Sequence, residues 1–127
     1  MAGEGLDTTP LPALLRGAWR TYVDAVRGAM ADAGFDDLPR NGAYVVGAIA
    51  GAGLPLGRVV DQLGVSKQAA GQLVDALVLR GYLDRVPDPT DRRRLTISLT
   101  ARGEAAAAVA RRAIAEVDDA VRDRVGA

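Results

Sequence analysis

A chain of 127 residues with 49% hydrophobic and 25% charged residues has the balance of one soluble globular domain. It holds no cysteine and no histidine, which removes disulfides, zinc-finger ligation, thiol redox chemistry and most nucleophile–base pairs. Formal charge sums to zero but is uneven: residues 1–57 carry four Arg against six acids, 58–102 eight Arg and Lys against five Asp, and 103–127 four Arg against five acids.

The segment 1–10 is acidic and lacks a hydrophobic signal core, and no run approaches the roughly 18 apolar residues of a membrane span. The expectation is a cytoplasmic protein without membrane partner or cofactor, ordered after about its first ten residues. No catalytic constellation is visible, so an enzyme is not expected.

In chain order, residues 11–33 read as a long helix. Leu14, Leu15, Ala18, Trp19, Tyr22, Val23, Val26 and Met30 recur at three- and four-residue steps, and Arg16, Arg20, Asp24 and Arg27 take the other face. Gly34 suits a left-handed cap. A second helix is expected from Leu38–Pro39 to about Ala50, with Pro39 in its first turn and Gly47, Gly51 and Gly53 weakening its later part. Leu54 is a candidate short strand, and Pro55 opens a helix reaching Leu63.

Gly64–Val65 then makes a tight turn, and Ser66 is a good N-cap for a helix over 67–80. Its periodicity turns Ala69, Leu73, Ala76, Leu77 and Val78 inward and leaves Gln68, Gln72 and Asp75 outward. Gly71 inside this helix is expected to serve close helix packing, ahead of close approach to a ligand backbone. Helix, glycine turn, helix is the arrangement that sets a second helix into a major groove.

Past Gly81 a short apolar run meets a turn rich in Pro87, Asp88, Pro89 and Asp91. Three arginines, Arg92, Arg93 and Arg94, follow, and then an alternating run over 95–99. This is a two-stranded hairpin with concentrated positive charge at its tip. Thr100 caps a last helix over 101–125, with Ala110, Ile114, Val117, Val121 and Val125 as its apolar stripe. The whole reads as a mainly α chain with a small β-hairpin wing, in the order α-α-(β)-α-α-β-β-α, forming a single domain over 1–127.

Asp91, Arg93, Leu99, Thr100 and Gly103 together resemble the wing signature of the multiple-antibiotic-resistance regulator (MarR) family of winged-helix transcription factors. The segment Leu63-Gly64-Val65-Ser66-Lys67-Gln68 resembles that family's turn and recognition-helix start, and Arg80-Gly81-Tyr82-Leu83 its approach to the wing. The resemblance implies a winged helix-turn-helix over 55–99, with outer helices 11–33 and 101–125 forming a homodimer. With room for only one long C-terminal helix, that dimer interface is expected to be reduced or different. Many members bind small aromatic anions in a cleft, for which Trp19, Tyr22 and Tyr44 are the candidate pocket, although aromatic residues at helical spacing are more often plain core.

The expected partner is double-stranded DNA. Ser66, Lys67, Gln68 and Gln72 would meet a major groove, where Gln pairs with adenine and Lys with guanine acceptors or phosphate. Arg92, Arg93 and Arg94 would meet the flanking minor groove, with Arg93 reaching deepest. Asp91 is expected to orient an arginine by a bidentate salt bridge. The rival reading is a winged-helix module that binds protein or a small ligand and not DNA.

Overall fold

The computed structural model describes residues 10–52, 55–93 and 95–125. Five helices and one hairpin run in the order α1 (Leu11–Asp32), α2 (Gly42–Ala52), α3 (Leu56–Leu63), α4 (Lys67–Leu79), β1 (Leu83–Pro87), β2 (Leu95–Leu99) and α5 (Ala101–Val125). The strands pair antiparallel in a register that sets Leu83 opposite Leu99 and Pro87 opposite Leu95. The candidate strand at Leu54 lies outside the described residues, as do the first nine residues.

Helix ends follow local chemistry. Gly34 (φ +87°) and Gly81 (φ +83°) take the left-handed conformation that side chains resist. Each closes the same two-bond cap: Phe35 N–H reaches Met30 O at 2.8 Å, Gly34 N–H reaches Ala31 O, Tyr82 N–H reaches Leu77 O at 2.9 Å, and Gly81 N–H reaches Val78 O. Thr100 Oγ1 accepts the Gly103 N–H at 3.0 Å, which makes it the N-cap of α5 as the sequence suggested.

The second helix begins at Gly42, not at Leu38–Pro39. Asn41 sits at φ +67°, a left-handed kink that Asn tolerates better than most residues, and the Gly42 N–H closes a turn onto Pro39 O at 2.8 Å. Pro39 therefore belongs to the preceding turn. The helix runs through Gly47 and Gly51 to Ala52, and Gly53 lies outside the described residues.

The core gathers one or more residues from every element but β2: Met30 of α1, Val45 and Val46 of α2, Val59 of α3, Leu77 of α4, Leu83 of β1, and Ala106, Ala107 and Ala110 of α5, with Tyr82 at the joint. Small residues let α5 lie close along α1 and α2. Burying each Leu or Val contributes about 1.5–3 kcal/mol relative to exposure, so Leu77→Ala alone should cost about 2–5 kcal/mol.

In α4 the buried line is Ala70, Val74 and Leu77, whereas Ala69, expected inward, is exposed. Gly71 corrects another expectation: a Cβ there would meet nothing within 4 Å, so no helix packs on it. The stripe of α1 is buried only toward its C-terminus. Leu11, Leu14, Leu15 and Trp19 remain exposed, and on α5 so do Ile114 and Val121. The side chain of Val125 lies outside the described residues. Among the described residues no helix is long and apolar enough to cross a membrane. Helix, glycine turn, helix and hairpin make this the expected winged helix-turn-helix architecture.

Candidate nucleic-acid interface

Two exposed features follow each other in the chain. The first is the start of α4, where Ser66 Oγ accepts the Ala69 N–H at 3.1 Å and supplies the one side-chain cap at this helix end. Ser66, Lys67, Gln68 and Gln72 are all exposed there. The buried line through Ala70, Val74 and Leu77 holds the opposite side of the helix on the core. The backbone N–H groups of the first turn add partial positive charge, which suits a phosphate.

The second feature is the wing. Its turn is built from two short carboxylate-to-backbone bonds: Asp88 Oδ1 accepts the Thr90 N–H at 2.8 Å, and Asp91 Oδ1 accepts the Arg93 N–H at 3.1 Å. Asp91 thus orients Arg93 through the backbone. Among the described residues no ion pair joins Asp91 to an arginine; its carboxylate closes an Asx turn on the Arg93 N–H. A two-residue separation favours that outcome, since the carboxylate is nearer the backbone N–H than the end of a long side chain. Arg92 and Arg93 are exposed. Arg94 lies outside the described residues.

The wing is fastened to the body at its base by a cluster that sequence reasoning missed. The Tyr82 hydroxyl donates to Asp37 Oδ1. Arg102 donates to the same Asp37 oxygen at 3.0 Å, to the Tyr82 oxygen at 3.1 Å and to the Arg80 carbonyl at 3.1 Å. Its guanidinium also stacks over the Tyr82 ring at 4.5 Å, and Arg80 donates to the Asp37 carbonyl at 2.6 Å. Burial, and then the bond to Asp37, pushes the Tyr82 phenol up to about 12. The bond from Tyr82, with the Arg102 charge behind it, holds Asp37 below the usual carboxylate range. Thr100 Oγ1 donates to the Gly81 carbonyl and its N–H to Tyr82 O, so the end of α4, the root of β1 and the start of α5 meet at one joint.

A second tie links helix and wing directly: Arg85 of β1 pairs with Asp75 of α4. The aromatic candidates are arranged differently from one another. Trp19 and Tyr44 meet edge to face at 6.3 Å, and Tyr44 donates to Gln62 at 2.9 Å. Tyr22 instead donates to Asp118 of α5, a bond that raises its phenol above the ordinary value with desolvation adding to it.

The sequence model of the MarR family matches residues 36–94. Among solved structures, the reduced form of MarR from E. coli has a TM-score of 0.72 at 20% identity over 94% of this chain and 87% of that one. RV1404 from Mycobacterium tuberculosis shares 28% identity at a TM-score of 0.68, over 88% of this chain and 76% of that one. FabT from Streptococcus pneumoniae, solved in complex with DNA, has a TM-score of 0.72 at 18% identity over 89% and 80% of the two chains. No curated protein sequence matches significantly. The matched segment, residues 36–94, holds α2, the helix-turn-helix and the first strand and turn of the wing, and the fold as a whole is that of these solved structures.

Proposed function

We propose that the chain is a sequence-specific DNA-binding transcriptional regulator, a repressor acting as a homodimer on a pseudo-palindromic operator. One observation carries this reading: a capped, exposed helix start bearing Lys67 and Gln68 is joined through a fastened base to a wing whose turn presents Arg92 and Arg93. Each subunit sets Lys67 and Gln68 in a major groove and Arg93 in a flanking minor groove, with half-sites roughly 10 bp apart. The DNA complex of FabT, on the same fold, supports it.

The homodimer reading draws on Leu11, Leu14, Leu15 and Trp19 of α1 and on Ile114 and Val121 of α5, which would otherwise leave two apolar stripes in water. Release by a small aromatic ligand belongs to the same reading, with Trp19, Tyr22 and Tyr44 as the residues to vary. A non-DNA module is favoured only by the net charge of zero.

Selection of genomic fragments with purified protein at two salt concentrations tests the proposal. An enriched inverted repeat whose affinity falls steeply with salt is expected. On that fragment, Arg93→Ala should weaken binding by about 1–3 kcal/mol, and Gln68→Ala should relax the preference at one base position. Equal binding by Arg93→Ala across several salt concentrations would remove the wing from the interface.

A further inference from the structure

We propose that the Asp75–Arg85 ion pair is a bracket that sets the tilt of the wing relative to the recognition helix, making both residues positioning residues for DNA binding. The inference rests on the DNA-binding reading above. Asp75 is exposed and follows Gln68 and Gln72 at helical spacing on the outward side of α4. Arg85 stands mid-strand in β1, opposite Ile97.

Inward of that point the hairpin is held by the core, through Leu83, Leu99 and Ile97. Outward of it the shaft runs on through the exposed Pro87 to a turn in which Asp88 bonds Thr90 and Asp91 bonds the Arg93 N–H. The pair therefore sits where the anchored half of the wing gives way to the projecting half. From Arg85 to the turn at Pro89 is about 13 Å at roughly 3.3 Å per residue. A rock of about 10° at the bracket carries the tip by about 2 Å, a third of the roughly 6 Å width of a minor groove.

Charge makes the inference discriminating. Asp75 is a carboxylate on the side that meets DNA, so pure electrostatics says that removing it strengthens binding. A bracket says the opposite.

With no native cysteine, Leu79→Cys on α4 and Pro89→Cys on the wing give a unique pair of spin labels, both at exposed positions. Labelled chain is diluted with unlabelled chain so that distances are measured within one subunit. A single narrow distance distribution is expected in the otherwise native protein. Asp75→Asn and Arg85→Gln should each broaden it, and the exchanged pair Asp75→Arg with Arg85→Asp should narrow it again. On the selected operator Asp75→Asn should bind about fivefold more weakly, the scale of one exposed pair, and the exchange should recover most of the loss. Unchanged distances in the single variants, or an Asp75→Asn that binds as tightly as native protein or tighter, overturns the bracket. If native protein binds no fragment while the distances respond as stated, the bracket stands and the DNA-binding reading falls.

Discussion

Replacing Gly103 by Ala should destabilise the protein even though it puts a better helix former into a helix. A Cβ at 103 would lie 2.1 Å from the Tyr82 carbonyl oxygen, 3.0 Å from Leu99 Cδ2 and 3.1 Å from the Tyr82 carbonyl carbon. Carbon and oxygen need about 3.3 Å, so the start of α5 must retreat by about an ångström. That retreat pulls Thr100 away from Gly81 and Tyr82, which its hydroxyl and N–H now bond. Overpacking costs about 1–3 kcal/mol and a weakened cap about 1, against a helix-propensity gain of about 1. The net loss is about 1–3 kcal/mol, a Tm lower by roughly 4–12 °C. Gly71→Ala is the control, because its Cβ meets nothing. It should gain about 1 kcal/mol and raise Tm by about 4 °C. Thermal unfolding of both variants at one protein concentration decides the matter. If both are stabilised, propensity alone rules and the close contact at Gly103 carries no weight.

Removing the cap with Ser66→Ala should cost about 1 kcal/mol in urea unfolding, since the Ala69 N–H loses its acceptor. Above pH 10 stability should decline: the Tyr82 phenol titrates near 10 when unfolded but at about 12 when folded, so its contribution is whole below pH 10 and lost as pH rises toward 12. Tyr82→Phe should flatten that decline without abolishing it, because Tyr22 is shifted in the same direction; stability measured from pH 8 to 12 reads both. On the homodimer proposed above, Leu15→Glu and Trp19→Glu, at exposed positions of α1, should keep the monomer fold by circular dichroism and halve the sedimenting mass. An unchanged mass would refute α1 as a dimer surface.

What the sequence made legible was local. Gly34, Gly81 and the Thr100 cap act within a few residues, and each stands in the structure as its chemistry suggests. The exposed start of α4 and the arginine-bearing turn were equally plain, since caps and turns are written in adjacent residues. Phase within an alanine-rich helix was harder: Ala69 and Ala70 are alike in hydrophobicity, and only Val74 and Leu77 show which one turns inward. The kink at Asn41 hides because Pro39, two residues earlier, suits the first turn of a helix as well as it suits a turn. The joint of Asp37, Tyr82 and Arg102 was invisible for another reason. Asp37 and Arg102 are 65 residues apart, and nothing near either residue names its partner. Asp75 and Arg85 are ten apart, but a turn lies between their helix and strand and no helical spacing joins them.

That joint and the core beside it also set when the molecule can fold. Val45, Val59 and Leu77 share one core with Ala106, Ala107 and Ala110, and Arg102 completes the cluster at Asp37 and Tyr82. A growing chain that has made every residue of the helix-turn-helix and the wing still lacks the helix on which α1, α2 and the root of the wing pack. Contacts of such long sequence separation are slow to pay back the loop entropy of forming them. During synthesis the first hundred residues must wait, apolar faces uncovered, for the last helix. Chaperone demand and aggregation in the cell should therefore concentrate on nascent chains stalled before residue 101, and ribosome-bound intermediates of graded length would show where that dependence ends.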